Sequence, residues 1–114
     1  ELTALTLPAD RLYMEYLYLN ETGITDLGFL RDVREISMLW LNGTGISDIS
    51  ILKEKNIHVL YLGDKVTDFS VLPQIQFLDN LSIDTETPLE ELMPYLKACR
   101  NLISFTYNGE PINI

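Results

Sequence analysis

Apolar residues recur along this chain in the spacing L-x-x-L-x-L: Met14, Leu17, Leu19; Ile36, Leu39, Leu41; Ile57, Leu60, Leu62; Leu78, Leu81, Ile83; Leu102, Phe105, Tyr107. The starts lie 22, 21, 21 and 24 residues apart. A sustained period of this size marks structural units that stack on one another. Leu17 to Leu27 (LYLNETGITDL) aligns with Leu39 to Ile49 (LWLNGTGISDI) at a constant offset of 22, and Leu60 to Phe69 (LYLGDKVTDF) keeps the pattern with a shorter turn.

Leucines two residues apart face one side of a strand, and the residue between them faces the other. Each unit therefore predicts a strand. An Asn/Gly/Thr turn follows, then apolar residues at the three-residue spacing of a short helical turn: Ile24, Leu27, Leu30, and again Ile46, Ile49, Leu52. A unit of about 21 residues cannot bury its leucines alone, so neighbours must stack and share a core, with their strands in a parallel sheet. After Ile83 the return lengthens. Thr87 and Glu90 read as a capping box with Pro88 at the first helical position, and Pro94 is expected to kink or restart that helix. Leu2, Leu5 and Leu7 read as a degenerate strand closing the N-terminal end, with Pro8 and Asp10 turning the chain. Tyr107 to Glu110 reads as a turn that folds residues 111–114 back beside the last strand.

Leu39-Trp40-Leu41-Asn42-Gly43-Thr44-Gly45-Ile46-Ser47-Asp48-Ile49 resembles the leucine-rich repeat family, specifically its bacterial, internalin-like subclass with repeats of about 22 residues. The resemblance covers residues 12–83 and implies an α/β solenoid, with a curved parallel sheet on the concave face and short helical turns on the convex face. Thr22 and Thr44 replace the family's usual asparagine; a hydroxyl can also satisfy loop backbone groups. The domain organisation expected is one leucine-rich repeat domain over residues 1–114. Residues 1–13 form an N-terminal cap or degenerate repeat, 14–83 the regular repeats, and 84–114 the C-terminal helix, last strand and cap.

Charge and composition narrow the function. The net charge is −9, from 8 Lys+Arg against 17 Asp+Glu, which argues against nucleic acid because that affinity rests on basic residues neutralising phosphates. No apolar run approaches the roughly 18–20 residues of a membrane-spanning helix, so no membrane insertion is expected. Cys99 is the single cysteine, which excludes an internal disulfide framework and leaves stability to packing.

The residues between the leucines make the candidate binding face. Tyr16, Tyr18 and Asn20 come from the first clear unit, Met38, Trp40 and Asn42 from the second, and Val59, Tyr61 and Gly63 from the third. Tyr18, Trp40 and Tyr61 are equivalent positions on strands about 4.8 Å apart, so an aromatic stripe is expected. Amphipathic rings of this kind dominate interface energetics. Asn80, Ser82, Asp84, Ser104, Thr106 and Asn108 continue the face in polar form. Substituting Trp40 by Ala is expected to weaken binding and to leave the melting temperature nearly unchanged.

Other candidates read as structural. Asp26, Asp48 and Asp68 each precede a helical turn, where a carboxylate caps backbone N–H groups, in preference to forming a calcium or general-base row. His58 and Cys99 read as packing residues, and no phosphate-loop, dinucleotide or zinc motif is present. No metal, cofactor or catalytic residue is expected. The function expected is protein–protein interaction, with a protein or peptide, favourably a basic one, bound to the aromatic face: a binding module, not an enzyme. The alternatives are an immunity or inhibitor-type protein neutralising a basic toxin or enzyme, a structural segment of a larger bacterial surface protein, and a homodimer through the stripe. Cytoplasm and cell surface are not distinguished.

Overall fold

The computed structural model describes residues 13–31 and 33–113. Alternating leucines draw these residues into one six-stranded sheet. β1 (Tyr13–Tyr18), β2 (Glu35–Trp40), β3 (Asn56–Leu62), β4 (Asn80–Ile83) and β5 (Ser104–Tyr107) pair in chain order and in parallel. β6 (Glu110–Ile112) returns antiparallel to β5, and one helix, α1 (Leu89–Ala98), separates β4 from β5 along the chain. The chain is thus a small mixed α/β structure with a mostly parallel sheet. The N-terminal strand expected at Leu2, Leu5 and Leu7 lies outside the described residues, as do the Met14 side chain and Ile114.

The register reproduces the sequence repeat: Leu17 pairs with Leu39, Leu39 with Leu60, Leu60 with Leu81, and Leu81 with Phe105. All five are buried. The return segments contain short 3₁₀ turns at Gly28–Leu30, Ser50–Leu52 and Leu72–Gln74. Their three-residue apolar spacing faces inward, because Ile24, Leu27, Leu30, Ile46, Ile49, Leu52, Val66, Phe69 and Leu72 join the strand leucines in a single core. Full burial of one such side chain contributes about 1.5–3 kcal/mol. That core lies between units, so each unit is stabilised by its neighbours.

Polar turn residues close the backbone as their chemistry predicts. The hydroxyls of Thr22 and Thr44 donate to Leu19 O and Leu41 O, both at 2.6 Å. Asp26, Asp48 and Asp68 accept the N–H groups of Gly28, Ser50 and Ser70 at 2.8, 3.0 and 3.0 Å. Their position differs slightly from a cap: Leu27 and Ile49 occupy the cap sites of the first two turns, and each aspartate bonds the N–H two residues on, as in an Asx turn. The Ser50 and Ser70 backbone N–H groups, helped by their hydroxyls, hold the Asp48 and Asp68 carboxyls below the usual carboxylate range.

The capping box at Thr87 and Glu90 does not form. α1 begins at Leu89 with Pro88 in the cap position and no side-chain cap bond. Thr87 is committed elsewhere: its N–H donates to Thr85 Oγ1 at 3.1 Å, and its carbonyl accepts the Tyr107 hydroxyl at 2.6 Å. α1 also runs through Pro94 as one helix, with Leu92 and Leu96 buried on its inner side. Packing of that face outweighs the one backbone bond the proline removes.

The C-terminal turn forms as expected. Asn108 (φ 49°) and Gly109 (φ 85°) both take left-handed conformations, as a two-residue type I′ hairpin requires. The Asn108 side chain also binds Thr85 twice, accepting its N–H at 2.7 Å and donating to its carbonyl at 2.9 Å. That amide holds the hairpin to the end of β4 and is not offered to a partner, which corrects the placement of Asn108 on the binding face. Cys99 is buried at the end of α1, and burial pushes its thiol up to about 11.

Candidate functional site

Parallel pairing in constant register gathers the residues between the leucines into rows across the strands. Tyr16, Met38, Val59, Asn80 and Ser104 form one row; Tyr18, Trp40, Tyr61, Ser82 and Thr106 form the next. The aromatic side chains of β1 to β3 therefore meet on one sheet face, and polar side chains continue it over β4 and β5. Tyr16 and Tyr18 are 54% and 53% exposed, whereas Met38, Trp40, Val59 and Tyr61 are half-buried.

The rings pack on one another more than a simple exposed stripe would. Tyr16 stacks on Tyr18 with centroids 6.0 Å apart, and Tyr18 meets Trp40 edge to face at 4.9 Å. Trp40 stacks on Tyr61 at 4.5 Å with 9° between the ring planes. The indole N–H of Trp40 is buried and has no acceptor among the described residues. These contacts argue against the expectation that Trp40 is dispensable for stability. Two aromatic pairs at about 0.5–1.5 kcal/mol each predict that Trp40→Ala lowers the melting temperature by on the order of 5–10 °C in a chain of this size. Thermal unfolding followed by circular dichroism measures it, and an unchanged midpoint would mean the ring contacts contribute nothing to folding.

At the strand ends the equivalent positions are Asn20, Asn42, Gly63 and Asp84. Asn20 and Asn42 are half-buried, and the Asn42 Oδ1 is buried without a hydrogen-bond partner among the described residues. Gly63 is buried, contrary to its expected place on the face. A Cβ there would lie 3.2 Å from both Gly43 N and Leu41 O, so successive turns approach too closely for a side chain. Asp84 is exposed, and its N–H donates to Leu62 O at 3.1 Å, which fixes the base of its side chain.

Neither a family model, nor a curated protein, nor a solved structure matches this chain. The site must be judged on its own chemistry. His58, expected as a structural residue at a strand start, lies near the start of β3 and is half-exposed, with Nδ1 3.8 Å from Asp79 Oδ2. The register places Ser37 of β2 beside it, and Asp79, the residue before β4, donates its N–H to His58 O at 3.1 Å, so Ser37, His58 and Asp79 follow one another across the sheet. The repeat carries the signal that finds them, since His58 and Asp79 are 21 residues apart, as are Ser37 and His58.

That row has the residue types of a nucleophilic triad without its working geometry. At 3.8 Å the carboxylate is beyond hydrogen-bond reach of the imidazole. Among the described residues, no group of three or more His, Cys, Asp or Glu is placed to hold a metal ion, and no helix is long and apolar enough to cross a membrane. A cleft of about 290 Å³ opens between residues 73–78 and 98–101. Phe77 lines it, 53% exposed and held at φ 62°, a feature that periodicity alone does not reveal.

Proposed function

We propose that this chain is a leucine-rich repeat solenoid of the internalin-like kind, and that it acts by binding a protein or peptide partner on the aromatic sheet face rather than by catalysis. Support for the solenoid comes from the 21–24-residue period in the sequence together with strands paired in the same register unit after unit. Support for binding comes from one observation above all. Parallel sheets are ordinarily covered on both faces, whereas here the face opposite the leucine core presents Tyr16 and Tyr18 more than half exposed beside half-buried Met38, Trp40, Val59 and Tyr61. A contiguous apolar patch of this kind marks a contact surface.

Tyr16 and Tyr18 carry the largest accessible ring area of the face. They are therefore the anchors, while Trp40 and Tyr61 support them from behind. The test is selection of displayed random peptides against the chain, followed by affinity measurement on Tyr18→Ala. Selected peptides are expected to lose about tenfold in affinity, equivalent to about 1.4 kcal/mol, measured where circular dichroism shows the variant folded, since Tyr18 also packs on Tyr16 and Trp40 and its loss lowers the urea midpoint. Peptides that bind Tyr18→Ala as tightly as the original chain would remove the aromatic face as the binding site.

A further inference from the structure

Resting on that reading of the face, we infer that the step where the aromatic row ends is an arginine-binding subsite, formed by the open ring face of Tyr61 above Ser82 and the carboxylate of Asp84. The partner is accordingly a segment that presents an arginine. Trp40 and Tyr61 stand on adjacent strands with centroids 4.5 Å apart and planes 9° from parallel. That separation is close to the strand spacing of about 4.8 Å, so the rings stack along the direction that crosses the strands. One face of Tyr61 is covered by Trp40, and the other looks toward β4.

The register partner on β4 is Ser82, a small side chain at the row position where β2 and β3 carry Trp40 and Tyr61, and among the described residues Trp40 is the ring found stacked on Tyr61. Thr106 of β5 lies beyond Ser82, with Asn80 and Asp84 two residues to either side along the chain. The ledge therefore has a flat aromatic wall, a small polar floor and an exposed carboxylate at one end. Among the described residues, Asp84 has no ion-pair partner. A planar guanidinium inserted over Ser82 would continue the Trp40–Tyr61 stack and engage Asp84 through paired N–H groups. Arginine suits this better than lysine, because its flat fork both stacks on rings and matches a carboxylate. The charge of −9 adds long-range attraction for a basic segment, and it disfavours a second copy of this chain as the occupant.

Trp40, the only tryptophan, reports on the ledge because it stacks against Tyr61. The test titrates the full chain with acetylated, amidated tetra-arginine, tetra-lysine and tetra-citrulline peptides while following Trp40 emission. Tetra-arginine should shift the emission saturably, with tetra-lysine at least about fivefold weaker and tetra-citrulline inert. Asp84→Asn should weaken the arginine peptide about five- to tenfold with an unchanged urea midpoint, and Ser82→Tyr, which fills the ledge with a ring, should abolish the shift. Equal affinities for arginine and lysine peptides, or no effect of Asp84→Asn, would reduce the interaction to the general acidic field and overturn the subsite. Displayed peptides that depend on Tyr18 and show no arginine preference would overturn the subsite alone. Peptides indifferent to both Tyr18→Ala and Asp84→Asn would overturn the binding face as well.

Discussion

Leu60→Ala should destabilise this protein by about 2–5 kcal/mol, the range for emptying a fully buried leucine site. Leu60 has no exposed surface and sits on the central strand β3, between Leu39 of β2 and Leu81 of β4. The cavity left by alanine would border two neighbouring units at once. Their backbones are fixed by ladders on both sides, so they cannot collapse to fill it. The neighbouring residue supplies the control. Val59 points to the opposite face and is half-buried, so Val59→Ala should cost less than about 1 kcal/mol. Urea unfolding of both variants measures the difference. Against a total stability of about 5–15 kcal/mol for a domain, Leu60→Ala should remove a large fraction of what holds the protein folded. Similar losses at the two positions would mean that the core does not lie on the leucine side of β3.

Much of the architecture was readable because the two periods in the chain report different elements. The two-residue alternation at Leu17/Leu19, Leu39/Leu41 and Leu60/Leu62 identified strands and their inner face, and the three-residue spacing at Ile46, Ile49 and Leu52 identified the 3₁₀ returns. The constant offset between units predicted which residues pair, and with them the rows of the candidate face. The Asn108-Gly109 hairpin followed from turn chemistry alone.

What escaped the sequence depended on contacts between units. Thr87 and Glu90 satisfy a local capping pattern, but Thr85 and Tyr107 claim the Thr87 backbone across the turn. Nothing in the spacing of Tyr18, Trp40 and Tyr61 distinguishes an open stripe from rings leaning on each other. The ring planes decide that, and they make Trp40 a stabilising residue as well as a candidate contact. Asn108 looked like another polar face residue until its amide was seen holding Thr85. The row of Ser37, His58 and Asp79 was overlooked because those residues are scattered in the chain, although the repeat offset places them side by side.

Lys55 is the clearest case of a legible signal set aside. Counting along the repeat, Val33, Lys55 and Ile75 each stand three residues beyond the last buried leucine of their 3₁₀ turn region, Leu30, Leu52 and Leu72. All three are buried, Lys55 at 7% exposure. A charged residue at an inward position must bring partners with it, and here the ammonium donates to Leu30 O at 2.8 Å and Val33 O at 2.6 Å. It thereby joins the first and second units through two carbonyls at the end of the preceding return. Lys55→Met keeps the length of the side chain and removes the donors. Leu30 O retains the Val33 N–H at 3.0 Å, whereas Val33 O loses the ammonium it accepts from. Hydrogen bonds to charged groups contribute about 1.5–3 kcal/mol each, and relief from desolvating the ammonium offsets part of their sum. The expected net destabilisation is therefore about 2 kcal/mol, read as a lower urea midpoint. It should persist at high salt, because a buried interaction is poorly screened. A neutral or stabilised Lys55→Met would show that the desolvation of this ammonium equals or exceeds what its interactions return, and would remove Lys55 from the residues that hold the fold together.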